Sequence, residues 1–259
     1  MSASLTGSVR VRDLSKTYVG RTGVTRTVLD GVDLDVAPEE FVCIVGPSGC
    51  GKTTLIKVIQ GLVACESGTV EVDGIDVSSS SPDVGFVFQQ DSLFPWRTVG
   101  ANIAFPLEIR RWDKKKQRER VDDLIDLVGL TGYRDSYPHE LSGGMRQRVN
   151  LARALAPDLS VLIMDEPFAA LDAITRAQMQ TELLRVWSDQ RKTVIFVTHQ
   201  IDEAVLLADR VVRMSANPGR IEESTTIEIG RPRSDATRHE GVFKDTVDRL
   251  WDSLHGARV

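Results

Sequence analysis

The order of apolar and polar residues divides the chain into regions of different character. From Val9 to Val36 the two kinds alternate, which is typical of half-exposed antiparallel strands. The segment Phe41–Val45 is apolar throughout, and such a run predicts a strand buried on both faces. Between about Asp91 and Ala156 apolar residues recur every three or four positions, which predicts helices and no strand.

Strands and helices alternate in the rest of the chain. Helices are predicted from Lys52 to about Gln60 and from about Ala173 to Gln190, and Gly68–Val72 is predicted as an edge strand. Four further apolar runs predict core strands: Val84–Phe88, Val161–Met164, Val194–Val197 and Val211–Met214. A short amphipathic C-terminal helix is predicted, with an apolar face made by Val242, Val247, Leu250 and Leu254. This alternation predicts an α/β core with a mainly parallel sheet and an inserted helical lobe.

Composition narrows the possible functions. The chain has 259 residues, of which 32 are basic and 37 acidic, so its formal net charge is −5. Proteins that grip nucleic acid neutralise phosphates with a basic surface, so this balance argues against a nucleic-acid partner. The basic stretch Arg110–Arg118 is interrupted by Asp113 and predicts a solvated helix face. Three cysteines without paired spacing (Cys43, Cys50 and Cys65) indicate reduced thiols. Met1 to Arg10 contains no apolar core of signal-peptide length, so a secreted protein is not expected, and no segment approaches the ~20 apolar residues that span a bilayer.

A phosphate-binding loop is predicted directly after the Phe41–Val45 strand. Residues Gly46–Thr53 match all positions of the pattern G-x-x-x-x-G-K-[ST]. Its glycines let backbone N–H groups face phosphate oxygens, Lys52 reaches the β- and γ-phosphates, and Thr53 binds Mg²⁺. The alternative is a chance turn before a helix, and the complete pattern favours the loop. The predicted nucleotide contacts are Gly46, Pro47, Ser48, Gly49, Cys50, Gly51, Lys52, Thr53 and Thr54.

Two adjacent carboxylates end a later apolar strand. Asp165 follows Val161–Met164 and is expected to hold Mg²⁺, directly or through water. Glu166 points in another direction and is expected to act as general base on the attacking water. Solvated acids at a strand end are the alternative, but the upstream phosphate loop favours the catalytic interpretation.

A third motif, Leu141–Arg148, lies between the phosphate loop and the acidic strand and reads LSGGMRQR. Ser142 is a plausible N-cap of a helix that runs to Leu155. With the two flanking motifs, this element makes the chain resemble the ATP-binding subunit of an ABC transporter over essentially its whole length. The resemblance implies ATP hydrolysis with Mg²⁺ and a P-loop NTPase (RecA-like) α/β core. It also implies an antiparallel β subdomain and an inserted α-helical subdomain.

The resemblance also implies domain boundaries within a single cassette spanning residues 1–259. The nucleotide-binding core and its antiparallel β subdomain correspond to about residues 1–90 and 157–230. The helical signature subdomain corresponds to about residues 91–156, and a short helical tail to about residues 231–259.

Further site residues follow from the same resemblance. His199, after the strand Val194–Val197, is expected to contact the γ-phosphate and keep water and Glu166 aligned. Gln89 is expected to sense Mg²⁺ and the attacking water, with the adjacent Gln90 as the alternative. Tyr18 is expected to stack on adenine, and the alternative is a core or rim tyrosine of an edge strand. Ser142, Gly143, Gly144 and Asp172 are expected to meet the ATP held by a second subunit.

Two other segments are similar to the nitrate/sulfonate/taurine importer group of ABC transporters: Val87–Val99 and Met214–Ile221. That group implies transmembrane permease subunits as partners, a solute-binding protein acting through the assembled transporter, and a peripheral place on the cytoplasmic face of the inner membrane. A homodimer is expected, with a heterodimer of cassettes as the alternative. The solute stays open among nitrate, taurine, aliphatic sulfonates, bicarbonate and a pyrimidine precursor. The competing class is a non-transport ABC ATPase acting on nucleic acid or the ribosome.

Overall fold

The structure is a computed structural model, and it describes residues 7–20, 23–78, 84–89 and 92–255. Gln90, the alternative to Gln89, lies outside the described residues. The strands, numbered in chain order, are β1 (Val9–Val19), β2 (Thr25–Val36), β3 (Phe41–Val45), β4 (Ser67–Val72), β5 (Ile75–Asp76), β6 (Val84–Val87), β7 (Val161–Asp165), β8 (Thr193–Val197), β9 (Arg210–Met214) and β10 (Ile221–Thr226). The helices are α1 (Lys52–Ile59), α2 (Val99–Ile109), α3 (Lys114–Leu127), α4 (Gly143–Leu155), α5 (Ala173–Gln190), α6 (Ile201–Leu207) and α7 (Gly241–His255).

The alternating N-terminal region forms an antiparallel sheet with the strand order β2-β1-β4-β5. The prediction that Gly68–Val72 is an edge strand was wrong, because β4 lies between β1 and β5. A turn at Asp73 and Gly74 folds Ile75 and Asp76 back onto β4. Two residues are too few to leave a periodic signal in the sequence, so the strand could not be predicted.

The second sheet has the order β10-β9-β3-β8-β7-β6, and its strands are parallel except for β10 at the edge. Within β3, Phe41, Cys43 and Val45 pack into one hydrophobic cluster and Val42 and Ile44 into the other. Both faces are therefore buried, and this explains the unbroken apolar run in the sequence. The mainly parallel sheet predicted from the strand–helix alternation is confirmed.

Between β6 and β7 the described residues form helices and no strand. Thr98, Asp113 and Ser142 are the N-caps of α2, α3 and α4, and their side-chain oxygens accept hydrogen bonds from backbone N–H groups of the first turn. The basic stretch before and within α3 is largely exposed, as expected for a solvated face, with the Lys115 side chain 85% exposed. The fold matches the predicted P-loop core with an antiparallel subdomain and a helical insertion.

The C-terminal helix α7 packs against the core with a face that differs slightly from the predicted one. Phe243 and Leu250 are buried, and Val247 and Leu254 pack against the same cluster. Val242 is 48% exposed, so its assignment to the apolar face was wrong. Phe243 lies four and seven residues before Val247 and Leu250, and this helical spacing places it on the buried side.

In the described ranges no helix combines the length and the apolar character that crossing a membrane requires.

Candidate functional site

Four predicted site segments lie where neighbouring parallel strands end. β3 runs into Gly46–Thr53, β7 ends at Asp165, and His199 and Gln89 follow β8 and β6. In the sheet these strands stand side by side in the order β3-β8-β7-β6. Because they are parallel, their carboxyl ends share one edge, and this is where open α/β sheets bind ligands.

The phosphate loop brings together the buried ammonium group of Lys52 and the N-terminus of α1. Lys52 is 6% exposed, and its Nζ donates to the carbonyl oxygens of Gly46 at 2.7 Å and Pro47 at 3.1 Å. Gly51 has a φ of 103°, and a Cβ there would lie 2.7 Å from Cδ2 of Leu29. Only glycine fits at this position, immediately before α1 begins. A cation combined with a helix N-terminus is an arrangement that favours phosphate binding.

The turn at Gly219 packs against the phosphate loop, a contact that the sequence motifs do not predict. Gly219 donates its N–H to the carbonyl oxygen of Val28 at 2.9 Å, and its own carbonyl accepts from Asp30 at 3.1 Å. A Cβ on Gly219 would overlap the carbonyl oxygen of Cys50. The phosphate loop therefore packs closely against β2 and the turn before β10. The Asn217-Pro218-Gly219 sequence indicates a turn, but nothing in it indicates what the turn contacts.

We expect Gly219→Ala to weaken ATP binding by at least about tenfold, because the added methyl must displace the backbone of the phosphate loop. The measurement is the equilibrium affinity for a fluorescent ATP analogue. Gly230→Ala is the matched control, since a Cβ at Gly230 meets no atom within 4 Å. An unchanged affinity in the Gly219 variant would contradict the idea that this turn shapes the loop.

Thr53 and Asp165 lie together beside the phosphate loop. The Thr53 hydroxyl donates to Oδ1 of Asp165 at 3.2 Å. Asp165 is 6% exposed, and burial raises the pKa of its carboxyl, with a smaller contribution from the charge of Glu166. A hydroxyl and a carboxylate are the hard oxygen donors that Mg²⁺ prefers, and substrate phosphates and water commonly complete its coordination. The donor set therefore fits a magnesium–nucleotide site.

Glu166 and His199 form a close pair at the same sheet edge. Oε2 of Glu166 lies 3.2 Å from Nδ1 of His199. Glu166 has a φ of 43°, a conformation that costs non-glycine residues roughly 1–3 kcal/mol, and its N–H donates to the carbonyl oxygen of Val197 at 3.0 Å. The two side chains are 22% and 53% exposed, so water reaches both. A strained, water-accessible carboxylate held beside an imidazole can accept a proton from water.

Gln89 and Tyr18 are exposed and stand apart from this cluster. Among the described residues, the Gln89 side chain makes no hydrogen bond to Thr53 or Asp165. The carbonyl of Phe88, just before it, accepts from side-chain amides of α4, so Gln89 lies at the junction of sheet and helical lobe. Tyr18 is 43% exposed near the end of β1, with Nζ of Lys16 5.2 Å from its ring centroid. An exposed tyrosine ring can stack on a base.

The signature segment forms a second, separate pocket. Ser142 accepts the N–H of Met145 at 3.2 Å and is the N-cap of α4, and Asp172 accepts the N–H groups of Ile174 and Thr175 and is the N-cap of α5. The two helix N-termini border a pocket of about 540 Å³. A hydrogen bond from Thr175 lowers the pKa of the Asp172 carboxyl. The pocket is lined by Gly129, Leu130, Tyr133, Ser142, Gly143, Gly144, Met145, Arg148, Ala170, Leu171, Asp172 and Thr175.

The phosphate loop contributes no residue to the pocket at Ser142–Gly144. The pairs Thr53–Asp165 and Glu166–His199 are brought together within one chain, whereas Ser142, Gly143, Gly144 and Asp172 form a surface of their own. Two half-sites on one chain are the geometry expected if a second molecule completes each of them.

Comparisons with known proteins agree with this geometry. The family model for ABC transporters matches residues 29–169. An uncharacterised ABC transporter ATP-binding protein of Methanocaldococcus jannaschii is 49% identical over 87% of this chain and 84% of its own length. The aliphatic sulfonates import ATP-binding protein of Bacillus subtilis is 44% identical over 89% of each chain.

Solved structures give the same result. A dimeric structure of a bacterial ABC transporter cassette aligns with a TM-score of 0.77 at 30% identity, covering 86% of this chain and all of that one. A dimeric post-hydrolysis structure of the same cassette, bound to ADP and phosphate, aligns with a TM-score of 0.76 at 31% identity and equal coverage. The motifs, the fold and these relatives lead to one assignment: the chain belongs to the ABC transporter family and is an ABC ATPase.

Proposed function

We propose that this ABC ATPase is the energy-coupling subunit of an importer of the nitrate/sulfonate/taurine type, with an aliphatic sulfonate as the first solute to test. The observation that carries the proposal is the 44% identity to the Bacillus subtilis aliphatic sulfonates import ATP-binding protein along 89% of both chains. Two copies would work with permease subunits at the cytoplasmic face of the inner membrane. A solute-binding protein would deliver the solute to the assembled transporter.

Within each copy, the phosphate loop would hold the nucleotide. The backbone N–H groups of residues 46–54 and the Lys52 ammonium would bind the β- and γ-phosphates, and Tyr18 would stack on the adenine. Thr53 and Asp165, with Gln89, would hold Mg²⁺, which neutralises charge on the phosphates during transfer. The 3.2 Å contact between Thr53 and Asp165 supports this arrangement, because both oxygens can face one cation.

Hydrolysis would proceed by attack of water on the γ-phosphorus. Glu166 takes the water proton as the new P–O bond forms, and the bond between the γ-phosphorus and the β–γ bridging oxygen breaks to leave ADP and phosphate. His199 holds the Glu166 carboxylate and the γ-phosphate in line. The contact of 3.2 Å between Nδ1 of His199 and Oε2 of Glu166 supports this role.

The second half of each site would come from the partner copy. The N–H groups at the start of α4, with Ser142, Gly143 and Gly144, would bind the γ-phosphate held by the partner's phosphate loop. Asp172, at the start of α5, would cross the interface beside them. Nucleotide binding would thereby close the dimer and hydrolysis would reopen it, and the helical lobe would carry this movement to the permease.

An apolar groove offers the surface for that permease contact. It has a volume of about 510 Å³ and lies between β6 and the helical lobe. Its aromatic and aliphatic lining includes Phe88, Phe94, Phe105 and Ile109. Arg153, which also lines the groove, adds positive charge. We infer that a short permease helix with an apolar face and an acidic side chain binds here, because such helices fit apolar grooves.

The test is a pull-down of the tagged chain from membranes of its own cells in mild detergent, with mass spectrometry of the eluate. Ile109 is 65% exposed, so Ile109→Asp should fold, hydrolyse ATP when purified, and lose the permease. Leu62→Asp is the matched control, because Leu62 is 59% exposed and lies outside the groove, and it should retain the permease. A solute-binding protein in the eluate would provide the means to measure sulfonate binding.

Two results would contradict the proposal. Ribosomal or DNA-repair proteins in place of a permease would support the competing class of non-transport ABC ATPases. A permease retained equally by Ile109→Asp would instead exclude the groove as its binding site.

A further inference from the structure

The His199 side chain lies half-exposed beside Glu166. Its side chain is 53% exposed, and its contact is the 3.2 Å approach of Nδ1 to the Glu166 carboxylate. The backbone on either side of His199, at Thr198 and Gln200, also determines where its ring lies. Thr198 is 2% exposed, and its hydroxyl oxygen accepts the N–H of Gln200 at 3.0 Å. This hydrogen bond closes a tight turn around His199.

The turn is anchored by a buried acid. The hydroxyl of Thr198 donates to Oε2 of Glu203, which is 3% exposed on α6. Oε1 of Glu203 accepts from Nε2 of Gln180 on α5 at 2.8 Å. Burial raises the pKa of Glu203, and the hydrogen bonds from Thr198 and Gln180 oppose part of this shift. Both carboxyl oxygens of Glu203 thus have a hydrogen-bond donor, and the two contacts fix the orientation of the side chain.

The same chain of hydrogen bonds continues to the C-terminal segment, residues 231–255. Gln180 is 2% exposed, and its carbonyl oxygen accepts from the guanidinium of Arg238. Arg238 also forms ion pairs with Asp202 at 3.0 Å and Asp235 at 3.2 Å. Uninterrupted contacts thus run from Arg238 through Gln180 and Glu203 to the turn that carries His199.

The C-terminal segment also contacts the C-terminal end of α6. Arg233 is 6% exposed and donates to the carbonyl oxygens of Val205 at 2.9 Å and Ala208 at 2.6 Å. Desolvation lowers its pKa to about 10, so it stays charged at neutral pH while filling the carbonyl end of α6. The C-terminal segment therefore holds both ends of the helix that follows His199.

We propose that Gln180 and Glu203 are positioning residues, through which the docked C-terminal segment holds His199 in line with Glu166. ATP hydrolysis, and not ATP binding, then depends on the contact between Arg238 and Gln180. The proposal rests on the roles proposed above for Glu166 and His199. It makes the C-terminal segment a place where release or modification slows the catalytic step.

The test compares Arg238→Ala with Arg249→Ala in the full chain. Arg249 is an exposed arginine of the same segment, on α7, and serves as the matched control. We expect Arg238→Ala to lower kcat about tenfold with KM for ATP changed less than about twofold, because misplaced catalytic groups affect the transition state more than the ground state. Arg249→Ala should leave both unchanged. Arg238→Lys, which keeps a charged donor beside Gln180 and Asp202, should recover part of kcat.

A direct readout of His199 separates positioning from general destabilisation. The chain has four histidines, so ring signals of ¹³C-labelled histidine can be assigned by His199→Gln and followed by NMR. Arg238→Ala should shift the His199 signal and leave that of His139 in place, and Arg249→Ala should shift neither. If Arg238→Ala left the His199 signal unmoved, or had a kcat equal to that of the wild type, the proposed positioning of His199 through Gln180 and Glu203 would be overturned. Absence of ATP hydrolysis by the wild-type chain, or normal hydrolysis by Glu166→Gln, would instead refute the roles proposed above for Glu166 and His199.

Discussion

Lys52→Ala is expected to lose ATP hydrolysis by a factor on the order of 10²–10³, since a preorganised cationic donor to the transferring phosphoryl group is removed. The Lys52 ammonium is buried at the start of α1, where no other side chain of the phosphate loop carries a positive charge. ATP affinity should fall as well, because in the proposed mechanism the same group binds the β- and γ-phosphates before the reaction. Steady-state phosphate release and equilibrium binding of a fluorescent ATP analogue measure the two effects.

The control for this variant is Lys115→Ala. Lys115 lies on α3, and its side chain is 85% exposed, so removing its charge should leave hydrolysis and ATP binding unchanged. Thermal unfolding of both variants shows whether the fold is retained. A Lys52→Ala protein that is folded and hydrolyses ATP at the wild-type rate would contradict the assignment of the phosphate loop.

Glu166→Gln is expected to separate binding from chemistry. A glutamine has the same size and can still accept a hydrogen bond, but it cannot take the proton of the attacking water. Loss of a general base typically lowers the rate by about 10²–10⁴. The phosphate loop and Asp165 are unchanged, so ATP affinity should be retained, and ATP should accumulate unhydrolysed on the protein. Single-turnover hydrolysis and ATP binding on the same preparation test both statements.

Glu228→Gln is the control for the loss of one negative charge, because Glu228 is exposed and lies beyond β10. It should hydrolyse ATP like the wild type. If Glu166→Gln turned over normally, another group would have to be the base, and the strained backbone at Glu166 would need a different explanation.

The sheet edge that carries the candidate site could be predicted from sequence because its determinants are local. A run such as Phe41–Val45 followed by glycines, or Val161–Met164 followed by two acids, specifies a strand and what its carboxyl end carries. Parallel strands then bring those ends to one edge, and the contacts Thr53–Asp165 and Glu166–His199 follow from that topology.

The supports of the site could not be predicted because they join residues that are distant in sequence. Gly219 meets Cys50, and Arg238 meets Gln180, only after the sheets and helices have packed. From sequence, Gly219 looks like an ordinary turn residue and Arg238 like a charged surface residue. No sequence motif links either residue to the candidate site. The buried Glu203 reads as one more polar helix residue, although it anchors the turn at His199.

The sequence did not predict strands β5 and β10, and it predicted the buried face of α7 with one residue misplaced, because the hydrophobic pattern there is short or ambiguous. β5 has two residues and β10 alternates half-exposed and exposed positions, so neither leaves an apolar run. The apolar face of α7 includes Phe243 and excludes Val242 because packing against the core, and not the first apolar residue, sets the helix orientation.

In the proposed dimer each ATP lies between the phosphate loop of one copy and Ser142–Gly144 of the other, an arrangement we call the nucleotide sandwich. Its most direct test is the molar mass of Glu166→Gln in ATP, measured by light scattering during size-exclusion chromatography. We expect a dimer of about twice the chain mass of 28.6 kDa with ATP and a monomer without it. Gly143→Asp added to this variant should bind ATP and stay monomeric, because the new carboxylate would repel the partner's γ-phosphate. Within its own chain, a Cβ at Gly143 would approach only the end of Arg146, at 3.7 Å. A Glu166→Gln protein that binds ATP as a monomer of 28.6 kDa would contradict the sandwich.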